Sequence, residues 1–372
     1  MENVNLKTAE ILERSVQIND GFTQTSADGV NMAFDSRFGI LFCVYMPGPH
    51  GHYGESRGRI SLTYFPASQP TNTKTIDVVS GREVYVPNII SLGDGKVRIL
   101  YEDNSRADED HLVYYQDFDY LSEQLTEAEP VMLRKDNGKT VPLTGSEQFA
   151  YLEEHGFYNH TYKAAEQVTI GSHTISRGED GTLYGAITSY LAEPILYRSV
   201  DNMQTVEFFA ICPYTAQYEM DYKWIGGKIH AVFRTDKAID SIGYTCSEDD
   251  GKHWSEPTYF KDSIPCRPRL ISYCDSMLIS YNYFNDDTRN RPSIQQGRTA
   301  VRLVYGEKQT PVADLYSHYG IVNVCLIDIL NDAYMAYSTS QLALEFQNGN
   351  PMVRGKDAIR FVKLGDLTPK FE

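Results

Sequence analysis

The chain has 372 residues, enough for one large all-β domain or two ordinary domains. Its formal net charge of -16 argues against non-specific binding of nucleic acid, which needs a basic face. No apolar run reaches the roughly 18 residues that a membrane-spanning helix requires, so no membrane span is predicted.

The N-terminus and the cysteines indicate a cellular compartment. No cationic segment followed by an apolar segment opens the chain, so no signal peptide is predicted. The 6 cysteines are scattered, and no C-x-x-C pattern joins them. We interpret them as buried thiols in a reducing compartment, not as disulfides or zinc ligands. We therefore expect a cytoplasmic protein without a metal or other cofactor.

A unit of two apolar runs around a tight turn recurs six times along the chain. The turns are rich in Asp, Asn or Gly, as hairpins prefer, and they centre on Ser36, Asp94, Asp180, Gly226, Asp275 and Asn331. Third strands such as GRISLTYF follow most hairpins, and fourth strands such as KTIDVVS follow several. Four antiparallel strands repeated about every 50 residues indicate β-propeller blades. The sequence predicts an all-β, six-bladed β-propeller, with a seven-bladed ring as the alternative. Two packed sandwiches would explain the many strands but not the uniform unit.

Two segments stand apart from the repeat. The last unit, DAIRFVKL, lacks a fourth strand, and RSVQI near the N-terminus is free to supply it and close the ring. The gap between the second and third hairpins contains TGSEQFAYLEEHG, which predicts a short helix with Ser146 as its N-cap. We predict a single domain over residues 1–372, with an insertion over residues 119–165 between blades 2 and 3.

The stretch YTCSEDDGKHW has the spacing S-x-D-x-G-x-x-W, formed by Ser247, Asp249, Gly251 and Trp254. The serine and aspartate can close a turn onto backbone amides, the glycine supplies a positive φ, and the tryptophan can pin the turn against a sheet. The motif lies between the third and fourth strands of the fourth unit. RSVDNMQTVEFF resembles a second copy that keeps Ser199 and Asp201 but lacks the glycine.

The motif and its position resemble the Asp-boxes of sialidase-type β-propellers. Upstream, Glu219 and Arg234 follow the order of a sialidase blade, in which the glutamate polarises a catalytic tyrosine and the arginine binds the substrate carboxylate. GRTAVRLVY resembles the segment that begins with another carboxylate-binding arginine, which would be Arg298. DLYSHYG resembles the segment with the nucleophilic tyrosine, which would be Tyr316, with Tyr319 as its rival.

The first half of the chain departs from the sialidase pattern. Asn31 stands near the place of the first inner-strand arginine. The resemblance implies a general-acid aspartate in the loop over residues 46–58, which contains none. That loop instead offers His50, His52 and Glu55, and a loop histidine suits acid–base catalysis near neutral pH.

Other polar residues are predicted on the same face, where the inner strands begin. A guanidinium binds a carboxylate bidentately, so the arginines among them suit an acidic sugar. These further substrate-binding candidates are Asn88, Arg267, Arg269, Arg291 and His318, and His318 is also a second candidate base.

Three functions follow from these residues. The first is an exo-acting glycoside hydrolase on an acidic sugar (sialic acid, another ulosonic acid or a uronate-containing glycan), with an oligosaccharide or glycoside as partner. A neutral phenol deprotonated by a glutamate avoids the repulsion between a carboxylate nucleophile and such a substrate. The second is a polysaccharide lyase or rhamnose–uronate hydrolase that uses His, Tyr and Arg on the same propeller. The third is a non-catalytic carbohydrate-binding propeller.

Overall fold

Six β-sheets make up most of the chain, and each is one blade of a β-propeller. The computed structural model describes residues 7–11, 14–19, 28–47, 58–82, 84–103, 112–157, 168–170, 174–189, 192–214, 219–235, 239, 241–284, 300–317, 321–339 and 358–369. The prediction of an all-β, six-bladed propeller is confirmed.

The strands follow the predicted repeat along the chain. Two short strands come first: β1 (Lys7–Glu10) and β2 (Val16–Gln17). Blade 1 contains β3 (Asp28–Asp35), β4 (Ile40–Met46), β5 (Gly58–Pro66) and β6 (Lys74–Arg82). Blade 2 contains β7 (Val84–Gly93), β8 (Lys96–Asp103), β9 (Leu112–Asp119), β10 (Gln124–Leu125) and β11 (Glu129–Pro130). Blade 3 contains β12 (Met132–Arg134), β13 (Thr140–Pro142), β14 (Val168–Thr169), β15 (Ser176–Arg177), β16 (Leu183–Ser189), β17 (Ile195–Ser199) and β18 (Thr205–Ile211).

The second half of the ring is more regular. Blade 4 contains β19 (Met220–Ile225), β20 (Lys228–Arg234), β21 (Ile242–Ser247) and β22 (Thr258–Phe260). Blade 5 contains β23 (Arg269–Tyr273), β24 (Ser276–Asn282), β25 (Ala300–Tyr305) and β26 (Thr310–Tyr316). Blade 6 contains β27 (Val322–Ile329), β28 (Asp332–Ser338) and β29 (Ile359–Gly365). Five of the six predicted hairpin turns lie between the first two strands of a blade, and the turn at Asp180 lies between β15 and β16 of blade 3.

Apolar clusters fill the spaces between all six pairs of neighbouring blades. A strand between two such clusters is buried on both faces, which is why β4 is buried at all seven positions. Burial on both faces explains why the strands read as continuous apolar runs and not as an alternation of apolar and polar residues. The first strands of blades 4, 5, 6, 1 and 2 contact one another in turn, and β16 of blade 3 contacts β19, so these strands line the centre of the ring. We call the side on which they begin the entrance face.

The N-terminal segment closes the ring, as predicted. Strand β2 pairs antiparallel with β29, with Val16 opposite Phe361. The Asn19 side-chain oxygen accepts a hydrogen bond from Ile359 N at 2.9 Å. Strand β1 pairs in parallel with β26 and gives blade 5 a fifth strand. Both N-terminal strands therefore cover edges that blades 5 and 6 would otherwise expose.

Residues 119–165, predicted as an insertion, contribute to two blades. Strands β10 and β11 pair with β9 at the edge of blade 2, and β12 pairs in parallel with β18 at the edge of blade 3. The predicted helix is α1 (Gly145–Glu154). Its N-cap is Thr144 and not Ser146, because the Thr144 hydroxyl accepts the Glu147 N–H at 3.2 Å, three residues along the chain.

The turn that follows β21 has the bonds that its sequence predicts. Ser247 Oγ accepts from Gly251 N at 2.9 Å, and Asp249 Oδ1 accepts from His253 N at 2.8 Å. Trp254 Nε1 donates to Ile211 O at 3.1 Å, so this turn is also joined to blade 3.

The same bonds recur in the turn that follows β17. Ser199 Oγ accepts from Met203 N, and Asp201 Oδ1 accepts from Thr205 N, each at 2.9 Å. Met203 replaces the glycine and has a φ of 69°. The turn therefore keeps its bonding without a glycine, at the cost of placing a methionine in the left-handed region.

Candidate functional site

Polar side chains near the start of the inner strands join neighbouring blades. Asn31 Nδ2 donates to Pro87 O at 2.8 Å, which joins blades 1 and 2. Asn88 Nδ2 donates to Ile170 O at 3.1 Å, which joins blades 2 and 3. Both asparagines are buried, so these bonds give them a structural part in the ring. Their predicted contact with substrate stays a prediction.

Arg269 links three blades through its guanidinium. Nε donates to Val324 O of blade 6 at 2.7 Å, and Nη2 donates to Val30 O of blade 1 at 3.1 Å. The side chain is fully buried. The next residue, Leu270, donates its N–H to Asp221 of blade 4 at 3.0 Å. The guanidinium thus lies beneath the entrance face, and its predicted substrate contact is likewise untested.

Asp221 is a buried carboxylate shared by three blades. It accepts from Thr174 N at 3.1 Å and from Lys223 Nζ at 3.0 Å, in addition to Leu270 N. Burial lowers the pKa of the Lys223 ammonium, and the charge of Asp221 opposes that shift. Sequence analysis missed both residues. An aspartate and a lysine two positions apart in the otherwise apolar β19 could have indicated a buried ion pair.

Glu219 and Arg234, predicted to act together, form an ion pair. Glu219 immediately precedes β19 and Arg234 ends β20, so the two lie opposite each other across one hairpin on the entrance face. Arg234 Nη1 donates to Glu219 Oε2 at 3.0 Å, and the backbone N–H of Arg234 donates to Glu219 O at 2.9 Å. The side chains keep 27% and 17% of their surface exposed, which leaves both open to a ligand.

The contact between β19 and β23 brings further charges towards this pair, because Arg267 and Arg269 lie at the start of β23. Burial lowers the pKa of Arg269, the nearby Arg267 lowers it further, and Asp221 and Glu219 act in the opposite direction. Arg267 itself is 8% exposed and precedes β23. The interface between blades 4 and 5 therefore gathers Glu219, Arg267 and Arg269, together with the Arg234 that pairs with Glu219.

Tyr316 lies at the outer side of its blade. It ends β26, the fourth strand of blade 5, where it pairs with Ala300 on one side and Glu10 on the other. Three strand spacings separate β26 from the inner strand β23, a lateral distance of about 14 Å. The side chain is half-buried against the cluster between blades 4 and 5. The structure does not bring Tyr316 to the inner strands.

Seven predicted site residues lie outside the described residues. They are His50, His52, Glu55, Arg291, Arg298, His318 and Tyr319.

The six-bladed ring aligns with solved sialidases over nearly its whole length. Trypanosoma rangeli sialidase in complex with the inhibitor DANA matches 96% of this chain with a TM-score of 0.61 and 12% sequence identity. A Hadza microbial sialidase matches 94% of this chain with a TM-score of 0.63 and 11% identity. The fold is that of a sialidase-like β-propeller. The chain spans 58% of the Trypanosoma enzyme and 68% of the Hadza enzyme.

The sialidase-like propeller also resembles a protein described only as of unknown function. This Dyadobacter fermentans protein matches 94% of the present chain and 99% of its own, with a TM-score of 0.58 and 11% identity. No protein-family model and no curated protein matches the chain by sequence.

A second buried acid of the sialidase-like propeller lies between blades 2 and 3. Glu102, near the end of β8, is fully buried, and its Oε1 accepts from Ile170 N at 2.6 Å. Among the described residues, Oε2 has no hydrogen-bond partner. Burial raises the pKa of this carboxyl to about 8, and the bond from Ile170 opposes the shift only partly. Sequence analysis missed Glu102, although an acid in the apolar run VRILYED was a signal.

Two features are absent from the described residues. Within those ranges, no group of three or more His, Cys, Asp or Glu side chains is placed to hold a metal ion. No helix in the same ranges is long and apolar enough to cross a membrane.

Proposed function

We propose that the protein is an exo-acting glycoside hydrolase on an acidic sugar: sialic acid, another ulosonic acid or a uronate-containing glycan. The observation that carries the proposal is the Glu219–Arg234 ion pair beside Arg267 and Arg269. With Lys223, the described residues of this interface include four cations against the carboxylates of Glu219 and Asp221. The excess positive charge suits a substrate carboxylate, and guanidinium groups bind that group bidentately. The sialidase-like fold supports the same reading.

The proposed roles follow from charge and position. Arg234 and Arg267 bind the substrate carboxylate, and Arg298 and Arg291 are further candidates for that task. Glu219 takes the proton of a tyrosine nucleophile, whose neutral phenol is not repelled by the acidic sugar. His52, with His50 and Glu55 as alternatives, protonates the leaving group.

Of the two tyrosines, we propose Tyr319 as the nucleophile. It precedes the inner strand β27, which begins at Val322, whereas Tyr316 ends an outer strand about 14 Å from the inner strand of its own blade. A nucleophile needs a position from which Glu219 can reach its hydroxyl, and of the two tyrosines Tyr319 is the nearer in the chain to an inner strand.

We interpret the two Ser–Asp turns, after β17 and after β21, as Asp-boxes. They follow third strands and therefore lie on the face opposite the entrance face. Their serine and aspartate side chains bond to the backbone of the same turn, and Trp254 bonds to blade 3, so we assign them a structural role and no part in catalysis.

Hydrolysis of aryl glycosides of sialic acid, a ulosonic acid and glucuronic acid tests the proposal. We expect turnover of at least one, a roughly 100-fold or larger fall in kcat for Glu219→Gln, and a raised KM for Arg234→Gln. Tyr319→Phe should abolish turnover. Tyr259→Phe is the matched control, since Tyr259 is an exposed tyrosine on the outer strand β22.

Other outcomes favour the alternatives. Full activity in both Tyr319→Phe and Tyr316→Phe contradicts the tyrosine mechanism. A product with the ultraviolet absorbance of an unsaturated uronate indicates a polysaccharide lyase. Saturable glycan binding without turnover of any substrate indicates a carbohydrate-binding propeller.

A further inference from the structure

A groove of about 260 Å³ lies on the outer rim of blade 3, away from the inner strands. Helix α1 forms one wall, and β12 with the turn that follows it forms the other. Its lining combines an aromatic ring with many hydrogen-bonding groups: Arg134, Lys135, Asp136, Asn137, Tyr151 and Glu154.

Two of the acidic groups in this rim groove have no neutralising partner among the described residues. Lys135 pairs with Glu147, and Arg134 pairs with Glu207 at 3.2 Å. Asp136 and Glu154 form no ion pair with any described residue. Asp136 and Glu154 line the groove together with Tyr151. Burial raises the pKa of the Tyr151 hydroxyl, and the charges of these two carboxylates raise it further. The groove therefore carries a net negative charge.

The aromatic wall of the groove is held in place. The Tyr151 ring meets Phe208 edge to face, with centroids 5.0 Å apart, and meets His155 at 4.1 Å. An apolar ring beside carboxylate and amide groups matches a pyranose, which has an apolar face and a rim of hydroxyls.

We propose that the rim groove binds a pyranose unit that carries no acidic group. The Tyr151 ring contacts the apolar face of the sugar, and Asp136 and Glu154 accept hydrogen bonds from its hydroxyls. The Asn137 oxygen already accepts the Lys139 N–H at 2.9 Å, so its side-chain Nδ2 donates to a hydroxyl oxygen. The unneutralised carboxylates repel an acidic sugar. This second site therefore takes the uncharged part of a glycan, and it does not depend on the proposed hydrolase activity.

A matched pair of probes tests the site. Methyl β-D-glucopyranoside and methyl β-D-glucuronide share one ring and differ in the carboxylate at C6. We expect saturation-transfer NMR and calorimetric titration to show the glucoside binding at least tenfold more tightly than the glucuronide. Equal affinities, or no binding of the glucoside, would overturn the proposal. The readout is binding, so failure of the proposed hydrolysis leaves this result interpretable.

Variants locate the binding. Ala150→Trp, at an exposed position on the groove wall, should fill the groove and abolish glucoside binding. The double variant Asp136→Asn with Glu154→Gln should reduce the preference for the glucoside over the glucuronide to less than threefold. Glu153→Gln is the control, because Glu153 is exposed on the same helix but does not line the groove. Undiminished binding in Ala150→Trp places the sugar elsewhere and contradicts the proposal.

Discussion

A single buried carboxyl, Glu102, links protonation to folding. Its pKa is about 8 in the folded chain and about 4.3 in an unfolded one, so the folded state keeps a proton that the unfolded state releases. The contribution to stability is fully present below pH 4.3 and is lost as the pH rises towards 8. Above pH 8 both states are ionised, and this dependence ends.

Glu102→Gln should remove that dependence. The amide oxygen of glutamine can accept the Ile170 N–H without ever carrying a charge. The free energy of unfolding of the variant minus that of the unchanged protein should rise by on the order of 4 kcal/mol between pH 4 and pH 8.5. Urea unfolding at both pH values measures the gain. Glu179→Gln, at an exposed position, is the control, and an equally small change in both variants contradicts the assignment.

At the scale of one element, the turn after β21 requires a glycine for two reasons. Gly251 has a φ of 82°, and a Cβ there would lie 2.5 Å from the Cβ of Ala210 in the neighbouring blade. Gly227, in the turn between β19 and β20, has a φ of 78° but open space around it. Alanine substitution at Gly227 therefore tests backbone strain alone, whereas substitution at Gly251 tests strain together with steric overlap.

Gly251→Ala should therefore lower the free energy of unfolding more than Gly227→Ala does. We expect about 1 kcal/mol for Gly227→Ala from the left-handed backbone alone, and about 2–4 kcal/mol for Gly251→Ala because overlap adds to it. Chemical denaturation of both variants measures the difference. Equal losses would show that the turn moves away from Ala210 at no cost.

The local elements were predictable from sequence, and the bonds between blades were not. Turn residues such as Asp94 and Gly226 determine their hairpins within a few positions of chain. Arg269, by contrast, bonds to Val30, 239 positions away, and no local pattern reveals that partner. An arginine near the start of an inner strand suggested contact with a ligand, whereas the Arg269 guanidinium donates to backbone carbonyls. The Glu219–Arg234 pair was predictable because both ends lie on one hairpin.

On the scale of the whole molecule, the N-terminal segment has two separable tasks. Strand β1 extends blade 5, whereas β2 completes blade 6. Deletion of residues 1–11 should lower stability moderately and leave the ring closed. Deletion of residues 1–19 should open it, with a larger loss of stability and a tendency to aggregate through the exposed edge of β29.

Thermal unfolding and light scattering compare the two deletions. A synthetic peptide of residues 12–20 should restore part of the stability of the longer deletion, because β2 needs no covalent link to pair with β29. Equal thermal stability and equal light scattering of the two deletion variants would contradict the separate roles of β1 and β2.

Ring closure by β2 also determines the order in which the blades can be completed during synthesis. Within this chain, β2 is made early and its partner β29 late, and Gln17 and Arg360 are 343 positions apart. Blades 1 to 5 can each pair their own strands as they emerge from the ribosome, but blade 6 cannot gain its fourth strand until β29 has been made. During that interval β2 has no partner strand, so synthesis is the period in which a chaperone would contribute most.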